Sequence, residues 1–300
     1  MSLQKVGCNF SGMYVRLWPG KSLRSHCGWT PALELDCAYF APAMICLCGL
    51  SPALAVLLYS MGSSEITKFG YAPLEPGTQP TYLHPAYVSS IKRAPTRPLL
   101  RMPQTLSEVS GPVFARADIP VHAYDLTKQH SGPPLGEKIV VSGRLLDEDA
   151  RPIRNSFIEI WQANSAGRYA HDKDLHDAPL DPNFTGSGVA FTDDEGRYRF
   201  VTIRPGAYPW RNHYNAWRPA HIHFSLFGPA FATRLVTQMY FPGDPLLETD
   251  PIFNSTANET ARRRLISVFD WENTIPETAL GFRFDIVLRG AEETPVETSR

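Results

Sequence analysis

From Lys138 onward the chain repeats one pattern, in which short runs of alternating apolar residues are separated by turn-forming residues. Ile139–Leu146 alternates, Asp147–Pro152 supplies a turn, and Ser156–Trp161 alternates again with Phe157, Glu159 and Trp161 on one face. Thr192–Gly196 reads as another turn, followed by Arg197–Ile203 with Tyr198 and Phe200 sharing a face. Ala220–Phe227, Leu235–Phe241 and Phe282–Arg289 complete the series. Side chains alternate sides along a strand, so each run buries one face. Repeated short strands with turn-rich gaps therefore predict an all-β fold, a β-sandwich of mixed and antiparallel sheets. One short helix is expected at Asn258–Phe269, with Arg262 to Arg264 on its exposed side. The 27 prolines and 21 glycines suit a loop-rich β protein better than a helical bundle.

The organisation predicted around that core is a sandwich at residues 138–290, a C-terminal tail at 291–300 and an extended N-terminal arm at 61–137. The arm is rich in Pro, Ser, Thr and Tyr, with a short helix near Tyr87–Lys92, and is of the kind that packs on its own domain or on a partner subunit. Residues 1–60 differ in kind. All five cysteines (Cys8, Cys27, Cys37, Cys46 and Cys48) fall there, so the main body needs no disulfide, which suits a reducing cytoplasm. Ala38–Gly62 carries no charge and exceeds the roughly 20 residues that span a bilayer. A membrane anchor would be interrupted by Pro42 and Pro52, and a secretory signal would not carry so long a leader before its apolar run. The third reading, a translation start at Met61 with the upstream residues an artefact, accords best with the polar Met61-Gly-Ser-Ser-Glu65 opening. The charge balance, 29 basic against 30 acidic residues for a net −1, gives no case for nucleic-acid binding or electrostatic attachment to a membrane.

Chemistry concentrates in the run Pro219-Ala-His-Ile-His-Phe224. On a strand His221 and His223 point the same way, about 7 Å apart, while Ile222 and Phe224 face the core. Two imidazoles so placed can share one metal ion. Tyr169, in Gly167-Arg168-Tyr169, and Tyr208, in Pro205-Gly-Ala-Tyr-Pro209, would complete an N2O2 set. A phenol with an ordinary pKa near 10 binds as phenolate at neutral pH only to a strongly Lewis-acidic ion, for which ferric iron is the biological candidate. Taken singly, each residue has a plainer reading. A strand histidine is more often a surface or hydrogen-bonded residue, Tyr169 would ordinarily close a turn, and Tyr208 would pack on Trp210. On the residues alone, the metal stays undetermined.

Longer stretches carry a resemblance. "IEIWQANSAGRYAH", "APLDPNFTGSG", "TDDEGRYRFVTIRPGAYPWRNHYNAWRPAHIHFSLFGP", "LVTQMYFPGDPL" and "FRFDIVLRG", with "SSIKRAP" and "SEVSGP" in the arm, are similar to the intradiol ring-cleaving dioxygenases. The nearest branch is the two-subunit one that acts on protocatechuate, on its iron-bearing β side, and the likeness runs from about Tyr71 to Gly290. The resemblance implies a β-sandwich holding non-haem Fe(III) through Tyr169, Tyr208, His221 and His223, with Tyr208 and His223 axial, Tyr169 and His221 equatorial, and hydroxide in the fifth position. It further implies that Arg218 lies beside the substrate ring and stabilises developing negative charge, and that Trp210, Gln238 and Ile252 line the pocket. Tyr208 and the hydroxide would leave with the substrate's two protons, and O2 would attack the ring carbon.

The same resemblance implies an α-type partner chain in an α–β hetero-oligomer that supplies part of the pocket for the substrate carboxylate. Three other functions compete. One is an intradiol enzyme acting on catechol, chlorocatechol or hydroxyquinol, whose relatives carry a helical N-terminal domain where this chain has an extended arm. Another is a non-catalytic sandwich of the α type, which lacks the four ligands. The last is a carbohydrate-binding or transthyretin-like module, suggested by "GRLLDEDARPIRNSFIEIW".

Overall fold

The computed structural model describes residues 75–100, 119–120, 122–227 and 234–297, all within the unit Thr67–Arg300. The expectations for residues 1–60, for the start of the arm, for the "SEVSGP" motif and for the last three residues lie outside the described residues.

Among the described residues, eleven strands form the body: β1 (Lys138–Leu146), β2 (Phe157–Gln162), β3 (Ser187–Phe191), β4 (Arg197–Ile203), β5 (Tyr208–Pro209), β6 (Trp217–Arg218), β7 (His221–Phe227), β8 (Leu235–Tyr240), β9 (Val268–Phe269), β10 (Leu280–Arg283) and β11 (Ile286–Val287). One sheet is mixed. β1 pairs antiparallel with β4 along one edge, and parallel with β10 and then β11 along the other, while β9 closes the far side of β10. The second sheet is antiparallel, in the order β3-β2-β7-β8. β5 and β6 make a separate two-stranded ribbon.

The alternation read from the sequence is what joins the sheets. Ile139, Val141 and Leu145 of β1, with Tyr198 and Phe200 of β4, meet Ile158 and Ile160 of β2 and Ile222, Phe224 and Leu226 of β7 in one apolar cluster. Phe224 sits between Tyr198, Phe200 and Phe284, at ring-centroid distances of 5.9, 5.8 and 5.2 Å. The two sheets thus bury their facing sides against each other, the arrangement of a β-sandwich.

Three expectations need correction. The helix expected over Asn258–Phe269 is a single turn, Glu259–Arg263; Asn258 caps it by accepting from the Ala261 amide at 3.0 Å. Pairing takes the backbone beyond it. The Tyr240 amide donates to the Leu265 carbonyl, the Ser267 amide donates to the Tyr240 carbonyl, and Val268–Phe269 joins β10. Tertiary hydrogen bonding thus overrides a helical pattern. The strand expected over Phe282–Arg289 is broken into β10 and β11. At the break the Asp285 carboxylate accepts from the Arg144 amide at 2.9 Å, and the Tyr198 hydroxyl donates to the Phe284 carbonyl. That carbonyl fits only because Gly143 opposes it, since a Cβ there would overlap the Phe284 oxygen.

Three short helices occur among the described residues: α1 (Val88–Arg93), where a short helix was expected in the arm, α2 (Pro251–Asn254), which was not expected, and α3 (Glu259–Arg263). Strand β3 gave no clear alternation because its buried positions are Gly188 and Ala190; Leu126 packs where Gly188 lacks a side chain.

The described part of the arm packs on the sandwich. Val88 donates to the Asn212 carbonyl at 3.0 Å, and Tyr87 tilts against Trp210 with ring centroids 5.3 Å apart. Near the other end of the chain, Val296 is buried in the main apolar cluster, so the residues read as a tail are packed at least to Glu297. No helix among the described residues is long and apolar enough to cross a membrane.

Candidate metal centre

The site is built on the side of the β2-β7-β8 sheet that faces away from the apolar cluster. Register does most of the work. Trp161 of β2 lies opposite His223, His223 opposite Gln238, and His221 opposite Tyr240. Side chains directly opposite on neighbouring strands meet. Trp161 accordingly stacks on His223, with centroids 4.7 Å apart and planes 6° from parallel. The two imidazoles stand 4.8 Å apart, centroid to centroid.

Loops close over this face and bring in the tyrosines. After β2 the chain turns at Asn164–Arg168, where the Asn164 side chain accepts from the amides of Ala166 and Arg168 at 3.0 and 2.9 Å. Gly167 takes a positive φ of 77°, and a Cβ there would strike the Ala207 carbonyl. The Gly206 amide donates back to the Asn164 carbonyl at 2.9 Å. The turn before Tyr169 and the loop before Tyr208 are thereby locked together, and the phenol rings meet edge-on with centroids 5.4 Å apart. The Asp174 carboxylate fixes the Tyr169 backbone by accepting its amide at 2.7 Å. In the β5–β6 ribbon Tyr208 pairs with Arg218, which sets the guanidinium beside the phenol.

All four residues singled out in the sequence therefore converge. The Tyr208 hydroxyl is 3.3 Å from His221 Nε2, and Tyr169 lies 6.4 Å from His223 by ring centroids. Each imidazole has its Nδ1 occupied. His221 Nδ1 donates to the Pro219 carbonyl at 2.7 Å, and His223 Nδ1 is 3.0 Å from a Glu297 carboxylate oxygen. Carbonyl and carboxylate oxygens only accept, so the proton sits on Nδ1 in both rings. The Nε2 lone pairs are then the ones available to a metal. In His221 that lone pair accepts from Arg218 Nη1 at 3.0 Å.

The electrostatics leave His221 and Tyr169 uncharged. Burial pushes the His221 pKa well down, and the nearby Arg218 and His223 push the same way, so the ring is neutral as a ligand must be. Burial pushes the Tyr169 phenol well up, reinforced by Tyr208, and its oxygen is buried without a hydrogen-bond partner. A buried phenol oxygen left unpaired is costly unless something else takes it. No group of three or more His, Cys, Asp or Glu able to hold a metal occurs among the described residues. The set at hand has two imidazoles and two phenols, which could hold a ferric ion and suits divalent metals poorly.

Among the described residues Arg218 is the largest fully buried side chain, 2% exposed. Its Nη2 donates to Gln238 at 2.7 Å, to Tyr240 at 3.0 Å and to Asp250 at 2.8 Å, and its Nη1 reaches the Tyr208 hydroxyl at 3.4 Å. Burial opposes the charge, but the Asp250 carboxylate more than compensates, so Arg218 stays a fixed cation. Trp210 lies under the guanidinium, 5.2 Å from its carbon. Ile252 is buried in α2, and its amide donates to the same Asp250 carboxylate that pairs with Arg218.

Asp250, Tyr240, Trp161 and Glu297 were not anticipated from the sequence. Period-two spacing from Gln238 and from His223's partner strand would have found Tyr240 and Trp161. Asp250 carried the signal of an Asp-Pro helix start. Glu297 carried none.

Residues 109–290 match the family model described as Dioxygenase, and residues 72–105 match that of the protocatechuate 3,4-dioxygenase beta subunit N terminal. The chain is 60% identical to the protocatechuate 3,4-dioxygenase beta chain of Burkholderia cepacia, over 73% of this chain and 94% of that one. It is 27% identical to the alpha chain of Pseudomonas putida, over 66% and 97%. To the hydroxyquinol 1,2-dioxygenase of Rhizobium sp. (strain MTP-10005) it is 32% identical, over 45% and 49%.

Proposed function

This chain belongs to the intradiol ring-cleaving dioxygenase family, and on that premise we propose that a ferric ion held by Tyr169, Tyr208, His221 and His223 carries its activity. The activity is intradiol cleavage of protocatechuate with O2, giving 3-carboxy-cis,cis-muconate in aromatic catabolism. The observation that carries this is 60% identity spanning 94% of a protocatechuate 3,4-dioxygenase beta chain. A catechol or hydroxyquinol substrate is less well supported, because the 32%-identical hydroxyquinol relative aligns over only 45% of this chain. The beta-type N-terminal match at 72–105 also argues against it.

A ferric ion held by Tyr169, Tyr208, His221 and His223 would supply Lewis acidity and a redox partner for the reaction of the ring with O2. The chain's own groups do the rest. The Tyr208 hydroxyl, beside both His221 and Arg218, is placed to exchange a proton with a substrate hydroxyl as the catechol binds. Arg218 holds a charge that does not vary with pH next to that point, suited to stabilising negative charge that develops on the ring or its oxygens. Asp250, Tyr240 and Gln238 hold the guanidinium in place, so no reorganisation is needed at the moment of reaction. Trp210 and Ile252 wall the pocket and exclude water. Both oxygen atoms of O2 end in the ring-opened product.

The same reading makes 138–290 the catalytic sandwich and an alpha-type chain its partner in an α–β assembly, with the arm contributing to the subunit contact. The 60% identity to a beta chain and the 27% identity to the alpha chain of Pseudomonas putida support the partner. The test is co-production with a candidate alpha chain, followed by oxygen uptake with protocatechuate and with catechol. Uptake with protocatechuate that greatly exceeds uptake with catechol is expected. Equal or reversed rates would overturn the substrate assignment, and full activity of this chain alone would overturn the need for a partner.

A further inference from the structure

The C-terminal segment reaches the candidate centre by a route that its sequence does not announce. Thr294 exchanges hydrogen bonds with Val287 of β11: its amide donates to the Val287 carbonyl at 2.9 Å, and its hydroxyl accepts the Val287 amide at 3.0 Å. Thr237 of β8 then donates to the Pro295 carbonyl at 2.7 Å, and the Glu297 amide donates to the Val236 carbonyl at 2.8 Å. Val296 is anchored in the apolar cluster. From the arm, Gln79 accepts the Val296 amide at 2.9 Å and donates to the Thr294 carbonyl at 3.4 Å. Residues 294–297 are thus tied to β8, β11 and the arm. At their end stands the Glu297 carboxylate, 3.0 Å from His223 Nδ1.

The two imidazoles differ in what holds them. His221 leans on a neutral backbone carbonyl, His223 on a carboxylate. A carboxylate on the far nitrogen fixes which nitrogen carries the proton, fixes the ring plane, and makes the other nitrogen a stronger donor to a metal. Trp161, stacked flat on His223, leaves the ring free to slide or spin in its own plane, and the Glu297 contact removes that freedom. Gln238 completes the link. Its carbonyl oxygen accepts from Arg218 and Tyr240, so its amide nitrogen is turned toward His223, 3.3 Å from Nδ1, and toward Glu297.

We propose that Glu297 is a positioning residue of the metal centre: the C-terminal segment, clasped by Gln79 of the arm, orients His223 and strengthens its hold on the metal. This rests on the reading of His223 as a ligand. It makes both ends of the described chain part of how tightly the ion is kept.

The experiment compares the full chain, produced with its alpha partner, with Glu297→Gln, Glu297→Ala, His223→Ala and Thr237→Val. Two quantities are read: the rate at which a chelator removes iron, and the position of the visible phenolate-to-iron absorption. Thermal melting confirms folding. Glu297→Ala should lose iron about 10–100-fold faster than the parent, with a shifted absorption. Glu297→Gln, which keeps an acceptor oxygen and the shape but not the charge, should fall between. Thr237→Val removes one tie of the segment without touching His223, so it should lower the melting temperature and speed iron release less than Glu297→Ala does. Parent-like iron release and absorption in both Glu297 variants, with His223→Ala iron-free, would overturn this inference alone. A parent that binds no iron, or a His223→Ala variant that keeps it, would overturn the ligand assignment and this inference with it. Should Glu297→Ala fail to fold, the isosteric Glu297→Gln decides.

Discussion

On one side of β7, Ile222, Phe224 and Leu226 are wholly buried among the apolar side chains of both sheets; on the other, His221, His223 and Ser225 are also buried, in a largely polar setting. The same seven residues of backbone therefore carry two regions of opposite character. The apolar side gains its stability from area removed from water and from close ring packing. The polar side hides two imidazoles, a guanidinium, an amide and two phenols, each costly to bury, and offsets most of that through mutual hydrogen bonds, the Tyr169 hydroxyl excepted. The comparison separates what folds the chain from what acts. Substitutions on the apolar side should move stability and spare the metal, and those on the polar side should do the reverse.

The largest effect expected is on the polar side. His221→Ala or His223→Ala should remove iron, colour and activity together, while the melting temperature of the metal-free protein changes little. Metal analysis and a visible spectrum check it, and a variant keeping iron would break the separation. Next comes Arg218→Lys, which retains a charge but not the fork by which Nη2 reaches Gln238, Tyr240 and Asp250 while Nη1 reaches Tyr208 and His221. A loss of about 10²–10³ in kcat, with iron retained, is expected from steady-state kinetics. Tyr208→Phe should slow substrate binding and product release by about 10²-fold while lowering iron content far less. A collapse of iron occupancy would reassign its role. On the apolar side, Phe224→Ala should cost about 3–5 kcal/mol in denaturant unfolding, yet the folded fraction should keep its iron and its spectrum. A shifted spectrum would show that the two sides are coupled.

The smallest effect sharpens the comparison from outside both regions. Burial alone would raise the Asp270 carboxyl, but hydrogen bonds from Asn273, Glu272 and Ser142 outweigh it and hold the pKa below the usual range. A depressed folded pKa stabilises the fold above the unfolded value near 4, and that contribution is lost as pH falls through the folded pKa. Asp270→Asn should therefore flatten the acid limb of the stability–pH curve slightly and leave the iron absorption unchanged at every pH tested.

What could be read from the sequence divides along the same line. Strands with strong alternation, such as β1, β4 and β7, were legible because a buried face imposes its period on the residues. β3 was not, because glycine and alanine fill its buried positions. The turn beyond Arg263 was lost to pairing with β8 and β10, which no local pattern announces. In the site, the His-x-His pair was legible because two imidazoles on one strand face are hard to explain as packing. The carboxylates behind it were not. Asp250 and Glu297 arrive from 32 residues after Arg218 and 74 after His223. Their roles depend on where loops come to rest.

The central claim is that two phenolates and two imidazoles hold one ferric ion. Its most direct test is the visible absorption of the iron-loaded α–β complex, measured for the parent and for Tyr169→Phe and His221→Ala. A red-brown parent whose charge-transfer band weakens in the first variant and vanishes in the second is the predicted result. A colourless parent, or a band indifferent to both substitutions, would contradict it.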